Sequence, residues 1–259
     1  MEPTARPATM SKRSFLFGAV AGGCALQAAR WATPAVLGKP AETPPHQITF
    51  AQCGEDLIAS YILSELGVDR PTYIDVGTYH PYEINNTYLF YTRGCRGILV
   101  EPNVDMIPLI RRERPADTTL NIGIGLTTAT EADYYRINEP SWNTFDKDTA
   151  DHYVKASGGE KKIVGVVKVP LVNINEVIAR HHGGVCPDFV SLDVEGLELD
   201  ILKSLDWSRH RPKVVCVETL VANTRRQKLE AANFLVEKGY AARGSTFVNT
   251  IFVDGKLLT

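Results

Sequence analysis

The stretch Thr72-Tyr73-Ile74-Asp75-Val76-Gly77-Thr78-Tyr79-His80-Pro81 decides how this chain folds. Residues 72–76 are β-favouring and mostly apolar, and they read as a short buried strand. Gly77 then supplies the turn at the strand's carboxyl end, where a parallel sheet presents its ligands. A dinucleotide fingerprint needs three glycines at such a turn, so that the backbone can approach a pyrophosphate closely. Only Gly77 is present, which disfavours NAD and an oxidoreductase built around it.

Outward from this strand, helical and strand signals alternate. Upstream, Gly54-Glu55-Asp56 opens a helix whose Leu57, Ile58, Tyr61, Ile62 and Leu66 are expected on one face, stopped by Gly67. Downstream come a helical stretch over 86–93, a strand over 97–101, and a helix that Asn103 can cap and that carries Met106, Leu109 and Ile110. A third strand is expected over 119–124. Residues 127–170 read as an insertion of hairpins and loops, with strands over 132–137 and 163–169. The alternation resumes with a helix at 173–181, a strand at 188–193, a helix at 198–205, a strand at 213–218 and a helix at 225–238. A last strand over 247–253 pairs with the segment after Tyr240. Such a pattern demands right-handed crossovers and a mostly parallel α/β sheet with helices on both faces. Ligands then sit beyond the strand ends, at Asp75 and Gly77, Glu101, Asn121, Asp193 and Glu218.

Composition narrows the partners. The chain has 259 residues, with 28 Lys plus Arg against 30 Asp plus Glu and 44% apolar side chains, enough for one sizeable core. A net charge of −2 without a long basic block argues against nucleic acid as a partner. Cys24, Cys53, Cys95, Cys186 and Cys216 form no C-x-x-C pair, so they read as reduced thiols, which suits the cytoplasm. Residues 1–47 differ from the rest. Met10-Ser11-Lys12-Arg13-Ser14-Phe15-Leu16 and the Gly/Ala-rich run after it resemble a twin-arginine export signal with Lys12 replacing the first arginine, and Pro40, Pro44 and Pro45 form a stiff linker. Export is therefore the alternative to a cytoplasmic site, and membrane association would require this leader to be kept as an anchor. The folded domain is expected over residues 48–259.

Four of the five strand ends carry a carboxylate, a poor lining for a phosphate. S-adenosylmethionine fits better: it has no phosphate, carries a sulfonium and an ammonium, and its ribose hydroxyls can donate to an acid. Glu101 follows Asp75 by 26 residues, near the roughly twenty expected for a ribose-binding acid.

These residues resemble the FkbM family of S-adenosylmethionine-dependent methyltransferases. The matching pieces are Phe50-Ala51-Gln52-Cys53-Gly54-Glu55-Asp56, the 73–81 turn, Asn85-Asn86-Thr87-Tyr88, and Gly94 through Asn103. Further on come Asp188 through Glu198, Arg211 through Glu218, and Asn249-Thr250-Ile251-Phe252-Val253. The resemblance implies a Rossmann-like class I methyltransferase sheet of seven strands with an antiparallel last strand, and methyl transfer usually to a hydroxyl of a small metabolite or glycan. It also implies that Gln52, Asp75, Gly77, Glu101, Asn121 and Asp193 bind the cofactor, with Glu195 beside the methyl group. A hydroxyl acceptor needs a base, and His80 and Glu195 are the two expected. Asp193 and Glu218 could also bracket Mg²⁺, and Trp142 could stack on the acceptor. A binding module that keeps the fold without catalysis is the competing reading.

Overall fold

The computed structural model describes residues 47–220 and 227–258, so the leader and its Cys24 lie outside the described residues. The sheet and its helices belong to one unit, His46–Thr259.

Helix α1 (Glu55–Glu65) leads into strand β1 (Tyr73–Val76), helix α2 (Tyr88–Thr92), strand β2 (Gly97–Val100), helix α3 (Ile107–Glu113) and strand β3 (Thr118–Leu120). Strands β4 (Gly123–Ile124) and β5 (Glu131–Ile137), helix α4 (Lys147–Ala156) and strand β6 (Ile163–Val172) follow. Helix α5 (Ile174–His181), strand β7 (Phe189–Leu192), helix α6 (Glu198–Ser204), strand β8 (Val214–Glu218), helix α7 (Glu230–Glu237) and strands β9 (Tyr240–Ser245) and β10 (Asn249–Asp254) complete the order. The main sheet runs β3-β2-β1-β7-β8-β10-β9. Its pairs are parallel up to β8, and β10 is antiparallel to both β8 and β9. The antiparallel last strand that the resemblance implies is thus present.

Strand alternation sorts the core into two layers. Ile74, Val76, Val190, Leu192, Val215 and Val217 face α5, α6 and α7, while Tyr73, Leu99, Phe189 and Cys216 face α1, α2 and α3. Each such fully buried aliphatic or aromatic side chain stabilises the fold by roughly 1.5–3 kcal/mol. Cys53, Cys95, Cys186 and Cys216 are all free thiols.

Three local expectations need correction. The buried face of α1 centres on Ala59 and Leu63, whereas Tyr61 is 67% exposed; the helix turns its small residue to the sheet. The third strand breaks in two, because Gly123 leaves the main sheet and pairs with Leu171 in a second sheet of order β4-β6-β5. A Cβ at Gly123 would stand 2.4 Å from the Phe145 ring, so only glycine permits this packing. The insertion also holds α4 between its β5 and β6 strands; Asp146 caps it by accepting from the Asp148 N–H.

Candidate active site

The strand order reverses between β1 and β7, and a cleft opens at their carboxyl ends. Val76, Gly77 and Tyr79 line it from β1, Glu101 and Pro102 from β2, and Asp193, Val194 and Glu195 from β7. Ile122, Tyr134, Asn143, Thr144 and Phe145 contribute from the β3–α4 region, and the cleft encloses about 600 Å³, part of it open to solvent. Gly77 has φ +85°, and a Cβ there would fall 1.9 Å from the Asp193 carbonyl oxygen. The close approach of the two loops therefore requires glycine.

Glu101 is 3% exposed and both its oxygens are engaged by backbone. The Tyr79 N–H donates to Oε2 and the Asn103 N–H to Oε1, each at 2.7 Å. Burial outweighs these two bonds, the Asp75 charge adds to it, and the carboxyl is pushed up to about 7. Each oxygen keeps a further lone pair for a hydroxyl donor.

Asp75 does not line the cleft. It shares the parity of Tyr73 rather than that of Ile74 and Val76, so it faces the α1–α3 layer. Its Oδ2 accepts from Thr87 Oγ1 at 2.8 Å and Asn85 Nδ2 at 3.1 Å. Behind them lies Arg114, 0% exposed, which donates to Thr87 Oγ1, Tyr73 Oη and Asn85 Oδ1 at 3.0 Å each and pairs with Asp117 at 2.8 Å. Asn85 Nδ2 also donates to the Thr78 and His80 carbonyls, at 3.3 and 3.1 Å. Asp75 thus sets the shape of the loop after β1. Burial raises its pKa against the opposing pull of Arg114.

The other expected residues fall on both sides. Gly77 and Asp193 line the cleft. Asn121 is turned to backbone, its Nδ2 donating to the carbonyls of Glu101 and Pro102 at 2.8 and 3.0 Å, and Ile122 takes the lining position instead. Gln52 is exposed and outside the cleft. His80 is outside it too; its Nδ1 accepts the Glu83 N–H at 3.0 Å, and burial lowers its pKa.

Glu195 is where the cleft meets a second cavity of about 710 Å³, open to solvent, which Asp146, Asp148, Thr149, His152, Tyr153, Glu218 and Lys228 also line. Tyr153 Oη donates to the Glu195 carboxylate, and Thr144 Oγ1 donates to its carbonyl at 3.2 Å. Burial and then the Glu218 charge push Glu195 up to about 8, against the Tyr153 bond. Burial likewise pushes Glu218 up to about 7 against Lys228, and burial and Glu218 together raise Asp193. Carboxylate oxygens of Asp193, Glu195 and Glu218 lie within 4.8 Å of one another, a spacing that suits a divalent ion. Lys228 Nζ, 3.0 Å from Glu218, and the Tyr153 hydroxyl already occupy two of the three groups.

Sequence reading missed Tyr153, His152 and Lys228. The Asp146-Lys147-Asp148 start signal would have found α4, and with it Tyr153. Trp142 lines neither cavity but meets the Tyr153 ring edge-on at 4.7 Å and buttresses it.

Among the described residues, Glu101, Asp193 and Glu195 line the cleft and no Lys or Arg does, a lining that suits a cationic ligand. This sheet order and carboxylate-edged cleft define a class I, Rossmann-like methyltransferase fold. Residues 75–241 match the methyltransferase FkbM domain, and the chain belongs to that family of S-adenosylmethionine-dependent methyltransferases. Among solved structures it is similar to a TehB-like SAM-dependent methyltransferase from Corynebacterium glutamicum at 11% identity and TM-score 0.39, covering 78% of this chain and 88% of that one. It is also similar to an O-methyltransferase from Bacillus cereus in complex with SAH, at 10% identity and TM-score 0.38, covering 81% and 84%. A search of curated proteins gives no match.

Proposed function

We propose that the enzyme methylates a hydroxyl of a small polar metabolite or glycan, with Glu195 as the base that takes the acceptor proton. The observation that carries this reading is the position of Glu195, which lines both the cleft and the second cavity beside it. S-adenosylmethionine, when bound, supplies an electrophilic methyl group on a sulfonium. Glu101 would accept its ribose hydroxyls through the free lone pairs, Ile122 and Phe145 would pack on its apolar parts, and the Gly77 turn would let the backbone approach. Asp193 and Glu195 would meet its cationic end, and the positive charge would favour their ionised forms against the burial that raises them. On the other side, Asp146, Thr149, His152, Tyr153 and Glu218 offer acceptors and donors to a hydroxylated molecule. Holding that hydroxyl against Glu195 aligns it and removes its proton in one arrangement. Tyr153 orients the carboxylate. Among the described residues no helix is long and apolar enough to cross a membrane, and a methyl donor made in the cytoplasm favours that compartment.

The test pairs binding with turnover. Calorimetric titration with S-adenosylhomocysteine and with NAD should give binding for the first only. Labelled methyl transfer to a panel of sugars, polyols and phenols should then find an acceptor, and Glu195→Gln should cut its turnover by about 10²-fold or more while S-adenosylhomocysteine affinity changes little. NAD binding alone, or full turnover in Glu195→Gln, would overturn the reading.

A further inference from the structure

Glu195 has φ +56°, a left-handed conformation rare for a residue with a β-carbon. Such a backbone persists where its surroundings over-determine it, and here the restraint is identifiable. The N–H groups of Val194 and Gly196, one on either side of Glu195, both donate to Glu198 Oε1, at 3.2 and 3.1 Å. The other oxygen of the same carboxylate, Glu198 Oε2, accepts from Lys228 Nζ at 2.9 Å, and Lys228 also reaches Glu218 Oε2 at 3.0 Å. The Glu198 side chain is 3% exposed and that of Lys228 25%, so the clamp works largely out of water. Lys228 therefore ties three elements together: the turn after β7, the start of α6, and the end of β8.

We infer that Glu198 and Lys228 are positioning residues for the Glu195 base: Glu198 clamps the left-handed turn that aims the carboxylate between the two cavities, and Lys228 locks Glu198 to Glu218. The inference rests on the reading of Glu195 as base for its catalytic meaning, though the clamp itself can be tested without turnover. Charged and titratable groups facing Glu195 are Tyr153 from α4, Tyr134 from β5, Glu198 from α6, Glu218 from β8, Lys228, and Asp193 on its own strand end. Among the described residues of this set Lys228 is the cation, and its two bonds, to Glu198 and Glu218, hold the clamp against β8.

The experiment uses the full chain loaded with S-adenosylhomocysteine and carrying amide ¹⁵N labels. Glu198→Ala should speed solvent exchange of the Val194 and Gly196 amides at least tenfold. Glu198→Gln should rescue the amides, because its side-chain oxygen still accepts both. Lys228→Met, which frees Glu198 Oε2, should speed the same two amides about threefold or more. Unchanged amides in Glu198→Ala, or in Lys228→Met, would overturn the inference. Should Glu198→Ala fail to fold, loss of amide protection in Glu198→Gln or unchanged amides in Lys228→Met overturns it equally. If the clamp behaves as expected while Glu195→Gln keeps full turnover, the base assignment fails and the clamp stands.

Discussion

Asp75 and Glu101 end neighbouring strands, both are 3% exposed, and both read from sequence as cofactor acids. Their surroundings differ completely. Glu101 opens on the cleft, held by two backbone N–H groups, and among the described residues no cation is bonded to it. Asp75 lies within its strand, facing α1–α3, in a network of Asn85, Thr87 and the buried Arg114. The difference teaches that a strand-end carboxylate is functional or structural according to whether it is still held in the sheet: Asp75 is inside β1, whereas Glu101 follows the last residue of β2, where the chain leaves the sheet and reaches the cleft. Ile74 and Val76 claim the face toward α5–α7, so Asp75 must take the face toward α1–α3. One acid is left free to meet a ligand. The other builds the loop that shapes the cleft.

The largest effect should come from the structural side. Arg114 and Asp117 have side chains 0% exposed, so Arg114→Met leaves a carboxylate buried without its partner, at a cost of about 3–5 kcal/mol. Urea unfolding of the apo protein measures it. A loss below about 1 kcal/mol, less than the usual value of one buried hydrogen-bonded charge, would show that this network does not hold the Asp75 side.

The next effect separates the two acids directly. Glu101→Gln should weaken S-adenosylhomocysteine binding about tenfold or more, the loss of a charge-assisted bond of roughly 1.5–3 kcal/mol, with a stability loss of no more than about 1 kcal/mol where its amide N–H meets one of the two backbone donors. Asp75→Asn should act mainly on stability, lowering it by about 1–3 kcal/mol with a smaller change in affinity. Calorimetry and urea melts on the same two variants decide it, and the reverse pattern would break the comparison.

Parity also marks the limit of what the sequence discloses. The strands at 73–76, 189–192 and 214–218 are apolar throughout because both faces of the sheet are covered, and that makes them easy to find. The same uniformity hides which face each residue takes. Glu101, Gly77, Asp193 and Glu195 could be picked out because strand-end position alone puts them near the cleft. Arg114 could not, since it meets Tyr73, Asn85 and Thr87 across 41, 29 and 27 residues of chain and nothing local announces the contact. Helix α4 is not legible because Lys147–Ala156 is largely polar and carries few apolar residues for a periodicity to appear. The break in the third strand is hidden as well, because nothing local marks Gly123 as the point where Phe145 packs down on the backbone.

A smaller effect follows from charge. Burial holds Glu101 at about 7, above its ordinary 4.5. The folded state therefore binds a proton over that range that the unfolded chain has released, and linkage makes stability fall as pH rises between about 4.5 and 7. The stabilising contribution is fully present below the unfolded value and lost above the folded one. Glu218 at about 7 and Glu195 at about 8 act in the same direction. Urea midpoints of the apo protein from pH 5 to 8 should show the decline, and Glu101→Gln should flatten it by roughly 1–3 kcal/mol at pH 8. An unaltered slope would mean that Glu101 ionises freely, and its contrast with a buried structural acid would shrink.

The smallest effect should come from His80, which belongs to the loop that Asp75 shapes rather than to the cleft. Its ring accepts one N–H from Glu83 within the same turn and lines neither cavity, so His80→Ala removes a partly exposed bond worth about 0.5–1.5 kcal/mol at most. Stability should fall by no more than that, and affinity for S-adenosylhomocysteine should hold. The informative readout is the pH dependence of turnover on an accepted hydroxyl substrate. A histidine base would make the rate rise through the range of an ordinary or lowered imidazole and lose about 10²-fold on removal. Glu195 as base puts the rise near pH 8, leaves it there in His80→Ala, and loses the rate in Glu195→Gln. Should the rise sit near pH 6 and vanish with His80, the β1 loop would carry chemistry after all, and the division between a structural Asp75 side and a chemical Glu101 side would fail at its nearest neighbour.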